Sequence, residues 1–129
     1  MSYEYVVDSY AWIEYFRGSK AGKKARGFIE GDKAATATIT VAELREKYAR
    51  EGWPYFDEDL LFITSSTAIV NLTKDIAVKA GEINVAIKMK VKGWGMADSI
   101  ILATAQVAKA KVVTGDKHFK GLKQAILIE

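Results

Sequence analysis

The feature that most restricts the fold of this chain is alternation: short β-rich runs take turns with segments of helical periodicity along nearly all of its 129 residues. Residues 3–7 are rich in residue types that suit a pleated strand, and residues 9–16 follow with Trp12, Ile13, Tyr15 and Phe16 at helical spacing before Gly18. A second, basic helix is expected over 20–31, with an apolar stripe of Ala21, Ala25, Phe28 and Ile29. Next come a strand over 34–39, a helix over 40–50 closed by Gly52 and Pro54, a short helix over 56–63 and a brief strand over 68–72. Thr73 is placed to cap a long helix reaching about Lys90, after which Gly93 and Gly95 interrupt the chain. Residues 96–110 are apolar nearly all round, which predicts a largely buried helix. A strand over 112–114, a short helix over 117–122 and a last strand over 125–128 complete the pattern.

Strands that alternate with helices are joined by right-handed crossovers, so the expected fold class is α/β, with a mostly parallel central sheet between helical layers. A chain of this length suits one core, and a single domain over residues 1–129 is expected. Ligands of such folds bind beyond the carboxyl ends of the strands, where helix N-termini also point. Four acids stand on that edge. Asp8 ends the first strand, Glu43 opens the helix after the second, Asp98 lies in the first turn of the buried helix, and Asp116 follows the strand at 112–114.

Carboxylates brought together repel one another, and a divalent cation removes that penalty. Donors that are all oxygen suit hard ions, Mg²⁺ or Mn²⁺, and such clusters can hold two ions about 3.5–4 Å apart for in-line phosphoryl displacement by metal-activated water. Each acid also has a purely structural explanation. Thr40-Val41-Ala42-Glu43 fits a capping box, Asp98 can complement a helix dipole, and Asp8 and Asp116 can cap the helices that follow them. It is their joint placement that points to a site. Thr114 is a candidate for orienting a ligand through its hydroxyl, and Ser9 similarly, with strand packing and N-capping as their alternatives. His118 has no partner histidine at ligand spacing and reads as a surface or packing residue. Trp12 reads as core. Gly93-Trp94-Gly95 follows a helix rather than a strand and so makes no phosphate loop.

Composition narrows the chemistry further. The absence of cysteine excludes disulfides, thiolate zinc sites and a cysteine nucleophile. No apolar stretch approaches the ~20 residues of a membrane span, and the first residues carry no leader-like pattern, which predicts a cytoplasmic protein without membrane association. The net charge of +3 is unevenly spread: residues 1–87 hold 11 basic and 13 acidic side chains, residues 88–129 hold 8 and 3. A basic C-terminal third favours an anionic partner, although solvated lysines account for it equally well.

Four segments, Val7-Asp8-Ser9, Thr40-Val41-Ala42-Glu43-Leu44, the Ala97-Asp98-Ser99-Ile100-Ile101-Leu102-Ala103-Thr104-Ala105 run and Val113-Thr114-Gly115-Asp116-Lys117-His118-Phe119, resemble the motif blocks of PIN domains, especially VapC-type toxins. The likeness runs through nearly the whole chain in the right order. It implies a three-layer α/β/α domain and a Mg²⁺- or Mn²⁺-dependent endoribonuclease that leaves a 5′-phosphate and a 3′-hydroxyl. By motif match, Asp8, Glu43, Asp98 and Asp116 would be the metal ligands and Thr114 the accompanying hydroxyl. The resemblance further implies an RNA substrate, a homodimer, and a cognate antitoxin that inserts a segment across the acidic groove. One departure is Tyr10, where the family often carries a small polar residue. A non-catalytic module that binds RNA or protein on the same fold is the alternative, with the acids serving only as caps. A receiver-type phosphoacceptor fits poorly, because Asp8 stands alone after its strand and the strand at 68–72 is followed by Thr73.

Overall fold

The computed structural model describes residues 2–129. Its centre is a five-stranded sheet in which every pairing is parallel. The strands are β1 (Tyr5–Val7), β2 (Ala34–Ala37), β3 (Ala68–Val70), β4 (Lys111–Thr114) and β5 (Ala125–Leu127), in the spatial order β3-β2-β1-β4-β5. Between them run α1 (Ser9–Arg17), α2 (Lys20–Ile29), α3 (Thr38–Glu51), α4 (Phe56–Ser66), α5 (Lys74–Lys88) and α6 (Met96–Val107), and one 3₁₀ turn occupies Lys117–Phe119. The α/β class with a parallel sheet is as the alternation requires.

The central strands are apolar on both faces, as strands covered from both sides must be. Period-two alternation sends Val7 and Val113 into a core shared with Trp12, Ile29, Leu44 and Ile63, whereas Val6 and Val112 enter a second core with Ile76, Trp94, Leu102 and Phe119. Helices α1 to α4 supply the first layer and α5 and α6 the other. Helix α6 buries Ser99, Ile101, Leu102, Ala103, Thr104 and Ala105, in keeping with its all-round apolar sequence. Each large aliphatic side chain withdrawn in this way contributes about 1.5–3 kcal/mol.

Several boundaries differ from the sequence pattern. Strand β2 stops at Ala37 and α3 begins at Thr38, two residues early, so the β-branched run Thr38-Ile39-Thr40-Val41 is helical. Packing overrides local preference there: Ile39 lies against the second core and Val41 against the first. Helix α6 ends at Val107 rather than Ala110 because Lys109 turns left-handed (φ 56) and the Ala110 amide donates back to the Ala105 carbonyl at 2.8 Å, the bonding of a Schellman stop.

Candidate active site

From β1 the chain lays β2 and β3 to one side, then returns to lay β4 and β5 on the other. Strand order thus reverses between β1 and β4, and loops leaving such a pair diverge to opposite faces, opening a crevice beyond their carboxyl ends. Asp8 is the residue after β1, and Asp116 lies two residues after β4. The β1–β4 pairing extends to Asp8 itself, whose amide donates to the Val113 carbonyl at 3.2 Å.

Helix starts aim the carboxylates. Asp8 is the N-cap of α1, where its Oδ1 accepts from the Ala11 amide at 2.9 Å. Asp116 caps the 3₁₀ turn, its Oδ1 accepting from the His118 amide at 2.9 Å. The Asp98 Oδ2 accepts from the Gly95 amide at 3.1 Å at the head of α6. Glu43 lies in the second turn of α3 and makes no cap; its Oε1 accepts from the Ser9 hydroxyl at 3.3 Å. The capping box expected at Thr40 is absent, since the helix has already begun at Thr38, and the buried Thr40 hydroxyl has no hydrogen-bond partner among the described residues. The reciprocal back-bond forms instead between Gly95 and Asp98, where glycine offers no side chain for a sequence signature to show.

Electrostatics register the crowding. Burial pushes the Asp8 carboxyl up to about 7; Asp116 and Glu43 add repulsion, while the Thr114 hydroxyl and the Ala11 amide pull the other way. Glu43 is raised chiefly by burial, with Asp98 and Asp116 adding to it and Ser9 opposing. Asp98 is raised by burial and by Asp116, against the lowering influence of Gly95 and His118. Asp116 thus acts on each of the other three acids, Glu43 on Asp8, and Asp98 on Glu43. Thr114, fully buried, accepts from the Asp116 amide at 2.9 Å and so ties β4 to that carboxylate.

His118 lies inside this group rather than apart from it. Its Nδ1 is 3.4 Å from both Asp98 Oδ2 and Asp116 Oδ1, and ligand atoms of the three side chains fall within 4.8 Å of one another. The usable signal was the Asp-x-His spacing, because an aspartate that caps through the amide two residues on brings that residue's side chain alongside. A depression of about 460 Å³ opens next to the group, lined by Tyr10, Gly115, Asp116, Lys117, His118 and Glu129. Trp12 and Trp94 are buried, each with its indole N–H bonded: Trp12 to Thr36 at 3.1 Å, Trp94 to Ser99 at 2.7 Å.

The PIN domain family profile matches residues 5–124. The chain belongs to the PIN domain family. No curated protein sequence matches it significantly, but solved PIN-like folds do. A chain of a toxin-antitoxin complex from Klebsiella pneumoniae superposes with a TM-score of 0.78 at 23% identity, covering 98% of each chain. VapC20 of Mycobacterium tuberculosis, a toxin that cleaves the sarcin-ricin loop, superposes at 0.76 and 14% identity over 94% of this chain and 96% of its own. FitAcB of Neisseria gonorrhoeae gives 0.70 at 21% identity over 95% and 96%. At such identities the likeness is one of fold. A site built of carboxylates, one hydroxyl and one imidazole has the donor chemistry of a divalent cation centre. Among the described residues no helix is long and apolar enough to cross a membrane.

Proposed function

We propose that this PIN domain acts as one unit over residues 1–129, as a Mg²⁺- or Mn²⁺-dependent endoribonuclease, and that it is the toxin of a toxin-antitoxin pair. The observation that carries the reading is the gathering of Asp8, Glu43, Asp98 and Asp116 at the β1–β4 crevice, with Asp8, Glu43 and Asp98 raised from their ordinary values by burial and by the charge of neighbouring acids in the group. A fold gains nothing structural from such crowding, whereas bound cations would offset it. Asp8, Glu43, Asp98 and Asp116 would hold the metal, which supplies water activation and charge neutralisation at the scissile phosphate. Thr114 keeps Asp116 in place and opposes protonation of Asp8. Ser9 does the same for Glu43. Lys117, on the rim of the adjoining depression, is placed to meet a backbone phosphate of the RNA. Hydrolysis would join the oxygen of water to phosphorus and release the 3′-oxygen, leaving a 5′-phosphate and a 3′-hydroxyl.

The toxin assignment draws on the fold shared with chains from toxin-antitoxin complexes, and it brings with it an antitoxin partner, a homodimer and a cytoplasmic setting as parts of the same proposal. A non-catalytic binding module is the second reading. Its support is that Asp8, Asp98 and Asp116 all bond to helix-start amides and so have a structural use already. Incubation of total RNA with Mn²⁺ or Mg²⁺, beside EDTA and Asp98→Asn controls, separates the two on a denaturing gel. Metal-dependent fragments that vanish in both controls support the nuclease; intact RNA throughout supports the binding module.

A further inference from the structure

We propose that His118 is a direct ligand of the divalent cation through Nδ1, and that this nitrogen tilts the centre away from Mg²⁺ toward first-row transition ions such as Mn²⁺. The inference rests on the metal-dependent reading above and adds a donor of a different kind to its four acids.

The imidazole is held with Nδ1 facing the acids. Its Nε2 side packs against Gly93, where an added Cβ would come within 2.8 Å of Nε2, so a side chain at that position would displace the ring. Gly93 also sits at φ 84, a conformation that glycine adopts without strain. On the other side Nδ1 is buried and has no hydrogen-bond partner among the described residues. It stands 3.4 Å from Asp98 Oδ2 and 3.4 Å from Asp116 Oδ1. That separation is long for the N–H···O bond a buried nitrogen would need to be satisfied. It suits neighbouring ligands of one ion, because bonds of about 2.1 Å at right angles put donor atoms about 3 Å apart. The turn that carries the ring is itself fixed by the Asp116 carboxylate, through the His118 amide at 2.9 Å. Carbonyl and carboxylate oxygens suit Mg²⁺ and Mn²⁺ alike, whereas an imidazole nitrogen favours first-row transition ions over Mg²⁺.

His118 is the only histidine in the chain, so isotopic labelling of histidine marks this one side chain without mutation. Mn²⁺ titrated into the whole protein and followed by pulsed electron paramagnetic resonance should show nitrogen modulation that changes when ¹⁴N histidine is replaced by ¹⁵N. The modulation should be lost in His118→Gln. Calorimetric titrations should show the preference for Mn²⁺ over Mg²⁺ falling at least about tenfold in that variant. Bound Mn²⁺ with no histidine coupling would overturn the role of His118 and leave the metal centre standing. No bound Mn²⁺ would overturn both.

Discussion

Two polar clusters lie against the sheet of this PIN domain, one buried and one half-buried, and they are built on opposite terms. Around β2 the Trp12 indole N–H donates to Thr36, the Thr36 and Thr67 hydroxyls share a hydrogen bond at 2.8 Å, and Thr67 donates to the Ile63 carbonyl at 2.9 Å. Every member has a partner, so the chain of bonds links α1, β2 and the end of α4 without cost to the fold. At the β1–β4 crevice the reverse holds: acids are pressed together, Asp8 is raised to about 7, chiefly by burial, and the His118 Nδ1 lacks a partner among the described residues. The first cluster is complete within the chain, whereas the second calls for something from outside it. Fully satisfied buried polar groups mark structure, and under-satisfied ones mark a site.

The comparison breaks first through activity. Asp98→Asn keeps a side-chain oxygen for the Gly95 amide, so the fold should survive while metal-dependent RNA cleavage falls by at least about 10²-fold, read on denaturing gels. An equally active variant would place the crevice in the same structural class as the Thr36 cluster.

The next largest effect concerns pH. The folded Asp8 titrates near 7 against 3.8 for an ordinary aspartate, so the folded state holds its proton more tightly than the unfolded chain. Its contribution is therefore intact below about pH 4 and is lost as pH rises through 7, by on the order of 4 kcal/mol for so deeply buried a group. Asp8→Asn, whose amide oxygen can still cap α1, should be the more stable protein at pH 8 in EDTA, with the gap closing toward pH 4 in thermal melts. A pH-independent gap would contradict the raised carboxyl assigned to the buried Asp8.

Metal gives the converse test. Mn²⁺ at a hundred times its dissociation constant should stabilise the wild-type protein by about 2.7 kcal/mol and raise its melting temperature accordingly, whereas an unchanged melt would favour the binding module. Thr36→Val addresses the other cluster. It strands the Trp12 N–H and should cost about 1–3 kcal/mol in denaturant melts while leaving cleavage per folded molecule unchanged. The smallest effect belongs to Thr40→Val, which removes a hydroxyl without a partner and should alter stability by less than about 1 kcal/mol.

Much of this arrangement is legible in the sequence. The alternation announces the parallel sheet, the apolar girth of residues 96–110 announces a buried helix, and the acids lie near the ends of elements that periodicity can place. What resists reading is set by contacts distant in sequence. Thr38 to Val41 favour a strand locally, yet the two cores on either side of the sheet wind them into α3, which shifts the start of that helix and dissolves the apparent capping box at Glu43. The bond from Asp98 to Gly95 escapes because a backbone amide carries no residue signature. His118 looked solitary because its neighbours in space are Gly93 and Asp98, which approach from another loop and another helix.

The order of the strands also bears on the chain's own synthesis. Strand β4 is the fourth of the five strands in chain order, yet it lies against β1 at the middle of the sheet, and Asp116 follows it. An emerging polypeptide can carry Asp8, Glu43 and Asp98 while the crevice that unites them still lacks one wall. The acidic centre is thus absent from every intermediate that stops short of Asp116, and it comes into being only once β4 has docked beside β1.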